Sequence, residues 1–318
     1  MPTPTSPAVE ALGLRKSFGE HLVLDGIDLV VPAGTVLALL GPNGAGKTTT
    51  VHILSTLLSR DAGTVRVAGH DLDDDPDAIR AVIGLTGQFS AVDALLTAEE
   101  NLHLMADLHR LPRAEGRRRA ADLLARFDLT EAARKPASTY SGGMLRKLDL
   151  AMTLVGEPRV VFLDEPTAGL DPCSRRAMWD VVRDLVADGV TILLTTQYLE
   201  EADHLADRVA VLDAGRIVAH GTPAELKRLV PGGTIRLHLA DPTALATATR
   251  AFPDAVADAE ALTMSVSGTT DVPAVRAVLD RAEHAGVVTE HVEVTGPGLD
   301  DVFLALTGHA IPTREAVS

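Results

Sequence analysis

The feature that most limits what this chain can become is Gly41-Pro42-Asn43-Gly44-Ala45-Gly46-Lys47-Thr48-Thr49. It has the G-x-x-x-x-G-K-[ST] spacing of a phosphate-binding P-loop. The apolar run Thr35 to Leu40 leads into it, bounded by Pro32 and Gly34, and reads as a buried strand. Thr48 to Leu58 reads as the helix that follows. The glycines let successive backbone N–H groups turn inward onto phosphate oxygens. The start of the helix adds its dipole and free N–H groups. Lys47 brings a positive charge to the β- and γ-phosphates, and the Thr48 hydroxyl is placed to ligate Mg²⁺. Alone, the loop specifies a nucleoside triphosphate but no particular machine.

Size and charge narrow the choice. The chain has 318 residues, room for two domains and a substantial core. Its net charge of −15 argues against a sequence-independent nucleic-acid binder and against polybasic attachment to an anionic membrane. A membrane association must then run through a protein partner. Cys173 is the single cysteine, so no disulfide forms within the chain. Residues 1–7 are rich in Pro, Thr and Ser, are expected to be disordered and do not read as a signal peptide. No apolar run reaches the ~18–20 residues of a spanning helix.

Along the chain, strands are expected at Val9–Leu14, Val23–Val31, Thr64–Gly69, Val82–Thr86, Val160–Glu165 and Val190–Thr195, with a hairpin around Ala214-Gly215. The acidic run Asp71 to Asp77 reads as a solvated loop before a helix at Pro76, since it lacks the glycine and terminal glutamate of a calcium loop. From Thr97 to Leu129 the pattern turns helical, opened by the capping box Thr97-Ala98-Glu99-Glu100. Arg117-Arg118-Arg119 reads as a solvated face. Met144 to Gly156 and Met178 to Ala187 read as further helices. Strands alternating with helices predict an α/β fold with a mixed, mostly parallel sheet and a helical subdomain at about 89–158. Pro231-Gly232-Gly233 marks a boundary between a domain at 8–230 and a smaller one at 231–318. The second reads β-α-β-β-α-β plus a last helix at Leu299–Leu306, which suggests a small α+β, ferredoxin-like module.

Five elements follow one another in order. Phe18 precedes the P-loop. Gln88 follows a strand. Ser141-Gly142-Gly143 opens a helix. Asp164-Glu165 ends a strand and is followed by Gly169-Leu170-Asp171. A last strand ends at Thr196-Gln197. Asp164 sits where it can hold Mg²⁺ across from Thr48, and Glu165 is placed to orient or deprotonate the attacking water. Gln88 can bond Mg²⁺ or that water. Phe18 either stacks on adenine or belongs to the core.

This order resembles the nucleotide-binding subunit of ATP-binding-cassette transporters over about residues 8–230. The resemblance implies ATP and Mg²⁺ as ligands and a P-loop NTPase fold. It puts Gly41 to Thr49, Phe18, Gln88 and Asp171 among the nucleotide contacts, with Thr48, Gln88 and Asp164 toward the metal. It also implies that Ser141, Gly142 and Gly143 cap the γ-phosphate of an ATP held by a second copy, so that a homodimer traps two nucleotides at its interface. Two departures stand out. The signature has Tyr140 and Met144 where the family usually has Leu and Gln, and Gln197 replaces the usual switch histidine. A glutamine can donate to phosphate but cannot take up a proton near neutral pH, which leaves Glu165 as the main base beside Lys47 and Gln197.

The runs Thr139 to Met144, Leu194 to Asp203 and Leu299 to Gly308 look like the daunorubicin-resistance type of exporter ATPase, extending the resemblance over almost the whole chain. That implies efflux of a hydrophobic drug or natural product through a separate integral-membrane permease, in two copies, at the cytoplasmic face of the membrane. An exporter of lipid or polysaccharide is the alternative. A soluble ATPase of the same class acting on ribosomes or DNA is disfavoured. The chain holds one P-loop, and Lys47 to Ser141 spans only 94 residues, too few for a long coiled coil.

Overall fold

The computed structural model describes residues 6–87, 90–230 and 232–308. Of the sequence expectations, residues 1–5 of the leading segment, Gln88 and Pro231 lie outside them. The chain divides into two compact units, Met1–Thr222 and Pro223–Ser318.

The first unit holds two sheets. Strands His21–Val31, Val9–Phe18, Ala62–Val67 and His70–Asp71 pair antiparallel in that spatial order. The second sheet runs Arg216–Gly221, Arg208–Asp213, Val36–Leu40, Thr191–Thr196, Val160–Asp164, Ile83–Thr86. All its pairings are parallel except the first, a hairpin. Val36–Leu40 and Val160–Asp164 are buried along their whole length, as near-continuous apolar runs in a covered parallel sheet should be.

The helix after the P-loop, Lys47–Leu54, lies in one apolar cluster with both sheets. Its Val51, Ile53 and Leu54 join Leu14 and Leu24 from the antiparallel sheet and Leu37, Leu39 and Phe162 from the parallel one. Each fully buried side chain of this kind contributes about 1.5–3 kcal/mol. The helix is shorter than its sequence pattern suggested. It ends at Leu54, and Thr56 turns to a left-handed φ of 67°.

The helical stretch contains Ala98–Leu108, Arg113–Arg126 and Gly142–Leu154. The capping box forms as expected: the Thr97 hydroxyl accepts from Glu100 N at 3.2 Å, and Glu100 accepts from Thr97 N at 2.8 Å. In the arginine triplet, Arg117 and Arg118 are exposed as expected. Arg119 is half-buried and pairs with Glu115 at 2.7 Å and Glu157 at 3.0 Å. Helix Pro172–Ala187 begins six residues before its expected start at Met178, because Asp171 caps it and Pro172 suits a first turn.

In the second unit, strands Val256–Asp258, Thr263–Ser267, Thr234–Leu239 and Thr289–Thr295 form an antiparallel sheet in that order. With helices Pro242–Ala251 and Val272–His284, this is the β-α-β-β-α-β topology read from the sequence. Its core gathers Leu237, Leu245, Phe252 and Met264. The sequence put the boundary after residue 230, but the units divide eight residues earlier. Helix Pro223–Lys227 belongs to the second unit, where it packs on Leu299–Thr307, with Leu226, Val302 and Phe303 buried. No helix among the described residues is long and apolar enough to cross a membrane.

Candidate functional site

Strand order assembles the site. Thr191–Thr196 lies between the strand that leads into the P-loop and the strand that ends at Asp164. Thr195 is in register with Leu39 on one side and Asp164 on the other. Because the strands are parallel, their C-terminal ends, where such sheets bind ligands, open on one edge. Residues from positions 41, 164 and 196 therefore meet.

The P-loop is built to its backbone. Gly41 donates its N–H to Thr196 O at 3.2 Å, and a Cβ there would stand 2.3 Å from Leu212 O. Gly46 has φ +108°, and a Cβ would lie 2.6 Å from the Leu24 side chain. At Gly41 another residue would push the neighbouring strand's backbone; at Gly46 it would displace the Leu24 side chain and need a backbone angle that L-residues rarely adopt. Gly46 caps the helix, so the first N–H groups after it have no intrahelical partner and face a ligand position. Lys47 is buried and folds back on the loop, donating to Gly41 O at 2.9 Å and Pro42 O at 3.1 Å. Its Nζ also lies 3.5 Å from Glu165 Oε1. Burial pushes the Lys47 ammonium below its ordinary range, while Glu165 and Asp164 pull it back up.

The two carboxylates are held differently. Asp164 is buried, and its Oδ1 accepts from the Thr195 hydroxyl. Its Oδ2 is buried with no hydrogen-bond partner among the described residues. A buried carboxylate oxygen left open is costly unless something positive meets it. Asp164 Oδ2 and the half-buried Thr48 hydroxyl are hard oxygen donors, the chemistry that could hold Mg²⁺. Glu165 adopts φ +50°, a left-handed turn that an L-residue keeps only when its surroundings enforce it. Its N–H donates to both Thr195 O and Thr195 Oγ1, each at 3.1 Å.

The remaining expected residues differ in exposure and in partners. Phe18 ends its strand with half its surface exposed, so it is not a core residue; Lys16 Nζ lies 5.5 Å from the ring centroid. Gln197 is half-buried, one residue past the Thr196 carbonyl that holds Gly41. Ser141 is exposed and caps Gly142–Leu154 by accepting from Met144 N at 3.3 Å. Gly143 packs so tightly on Ser174 that a Cβ would come within 2.5 Å of its hydroxyl. Asp171 is spent as a cap: it accepts from Cys173 N and Ser174 N, each at 2.9 Å, and from the Ser174 hydroxyl. Asn43 and Gly44 are exposed, and Thr49 is half-buried.

Three residues that sequence reasoning passed over complete the shell. Thr195 is a polar residue in a fully buried strand, and that contrast could have flagged it. Arg146 reaches from the signature helix to the carboxylate turn. Glu201, wholly buried, accepts from Thr167 Oγ1 at 2.8 Å and Trp179 Nε1 at 3.3 Å, and burial pushes its carboxyl above the usual range. No local pattern marks the last two.

Comparison with known proteins shows the family of the chain. Residues 24–168 match the family described as ABC transporter. A daunorubicin resistance ATP-binding protein of Streptomyces coeruleorubidus is 48% identical over 97% of this chain and 98% of its own length. A Nod factor export ATP-binding protein of Ralstonia nicotianae is 37% identical over 96% of this chain and 95% of its own. Among solved structures, an ATP-binding subunit of an ABC transporter superposes with TM-score 0.63 and 32% identity, covering 70% of this chain and 92% of that one. The chain belongs to the ABC transporter family of ATP-binding proteins, among those of the daunorubicin-resistance type.

Proposed function

We propose that the chain is the ATP-hydrolysing subunit of an exporter, driving a hydrophobic drug or natural product out through a separate membrane permease and so conferring resistance. The observation that carries the hydrolytic part is the meeting of Lys47 with Glu165 at 3.5 Å, beside an Asp164 oxygen that has no partner among the described residues. The drug-like cargo is supported by relatives named for daunorubicin and doxorubicin resistance at 42–48% identity over nearly their whole length. The relative named for Nod factor export favours, as a second reading, a cargo other than a drug.

The residues divide the work. Gly41, Pro42, Asn43, Gly44, Ala45, Gly46 and Thr49 offer backbone to phosphate, and Lys47 exchanges its carbonyl bonds for phosphate oxygens. Thr48 and Asp164 would hold Mg²⁺, which when bound neutralises charge on the β- and γ-phosphates. Gln88 joins them by resemblance. Glu165 takes the proton of the attacking water. Gln197 donates toward the γ-phosphate, and the half-exposed Phe18 stacks on adenine. Ser141, Gly142 and Gly143 present a helix start to the nucleotide of a second copy, so hydrolysis needs two chains. The assembly works at the cytoplasmic face of the membrane, held by two permease subunits.

The test is Glu165→Gln, which should keep ATP binding and lose turnover; equal turnover in variant and parent removes the base assignment. Mixing a Ser141-blocked copy with a Lys47-blocked copy should restore one working pocket. Absence of any rescued activity would end the shared-pocket reading. Drug accumulation in cells with and without the chain and its permease decides between cargoes.

A further inference from the structure

Arg146 lies one turn into the helix that Ser141 caps, and its side chain is only 11% exposed. Its guanidinium spreads over two other segments. Nη2 donates to Asp164 O at 3.1 Å and Glu165 O at 3.2 Å, and Nε donates to Pro166 O at 2.9 Å. Nη1 donates to Gly87 O at 2.9 Å and meets Asp149 Oδ2 at 3.3 Å. The other oxygen of Asp149 accepts from Ala91 N at 3.0 Å. One ion pair on one helix therefore grips three successive carbonyls of the carboxylate turn and both chain flanks of Gln88.

The grip matters because of the backbone it holds. Glu165 has φ +50°, a left-handed conformation that an L-residue rarely adopts. Thr195 fixes the N–H side of that residue, and Arg146 fixes its carbonyl side. Between them they determine where the Glu165 carboxylate points, which is toward Lys47. A planar fork of five donors can serve several carbonyls at once; a single ammonium cannot.

We infer that Arg146, oriented by Asp149, is a positioning residue for the hydrolytic turn: it holds Glu165 where its carboxylate takes the proton of the attacking water, and it ties that turn to the signature helix and to Gly87 and Ala91. The inference rests on the reading of Glu165 as the base.

The experiment is steady-state ATPase kinetics on the full chain with its permease, using Arg146→Lys and the near-isosteric Asp149→Asn, with urea unfolding in parallel. Arg146→Lys keeps the charge beside Asp149 but loses most of the carbonyl bonds. It should lower kcat about tenfold or more while KM for ATP stays within about twofold, since the P-loop is untouched. A tenfold loss corresponds to about 1.4 kcal/mol in the barrier. Asp149→Asn, which frees one arm of the fork, should lower kcat by a smaller factor, again at constant KM. Two results overturn the inference: kcat in Arg146→Lys within twofold of the parent, or kcat, KM and unfolding midpoint worsening together in both variants, as a mere brace would give. Glu165→Gln run alongside separates the readings. If that variant keeps turnover, the base assignment has failed; if it loses turnover and Arg146→Lys does not, only the positioning role has.

Discussion

Thr195→Val probes the geometry at its narrowest point. Valine keeps the volume and β-branching of threonine, so the strand and its packing should survive, but the swap is not neutral where the hydroxyl is used. Here it is used twice: it donates to Asp164 Oδ1 and accepts from Glu165 N at 3.1 Å. Thr195 is wholly buried, so no water replaces the loss. A hydrogen bond to a charged group contributes about 1.5–3 kcal/mol. The new methyl group returns about 0.8 kcal/mol of apolar burial. The net cost to folding should be about 1–2 kcal/mol, read as a lower urea midpoint with an unchanged slope. The functional cost should be larger than that suggests. Asp164 would be left with neither oxygen fixed by the described residues, and Glu165 would keep only the Thr195 carbonyl as its N–H acceptor. ATPase turnover should fall about tenfold, with a higher half-saturating Mg²⁺ concentration, whereas Thr195→Ser should stay within about twofold of the parent. If Thr195→Val unfolds and turns over like the parent, the hydroxyl does not hold the carboxylates and the account of the site is wrong.

Two further outcomes are expected. Glu201 has its carboxyl raised by burial, so its contribution to stability is fully present below the ordinary value of 4.5 and is lost as pH rises through the higher folded value. Glu201→Gln can keep the bonds from Thr167 and Trp179 without the buried charge. Its urea midpoint should exceed the parent's by a margin that grows above about pH 4.5 and then levels; a margin flat with pH would count against the buried-charge explanation. Phe18→Ala removes a half-exposed ring from outside the core, so calorimetry should find an ATP affinity weakened by about 1–3 kcal/mol at an unchanged melting temperature. Unchanged affinity would return Phe18 to a surface residue with no nucleotide role.

The legible and illegible parts of this chain differ in the range of the forces behind them. The P-loop could be read directly because its spacing is a short local pattern and Gly46 turns left-handed to cap its own helix, although the close approaches at Gly41 and Gly46 come from the distant Leu212 and Leu24. The Thr97–Glu100 box, the hairpin at Ala214-Gly215 and the β-α-β-β-α-β order of the second unit are likewise local, set by capping, turn and periodicity rules. Where a local signal was overlooked, as with Asp171-Pro172, a helix start was misplaced.

Sequence alone thus determined which groups are proposed to carry the chemistry: the phosphate loop, Asp164 with Glu165, and the serine-glycine turn. Tertiary structure alone decided how they are aimed. Thr195 reaches Asp164 across 31 positions and Arg146 reaches Asp164 O across 18, because parallel strands need crossovers and put distant residues in register. Those contacts depend on the order of strands in the sheet, and strand order is the outcome of burying one shared apolar core rather than of any short run of residues.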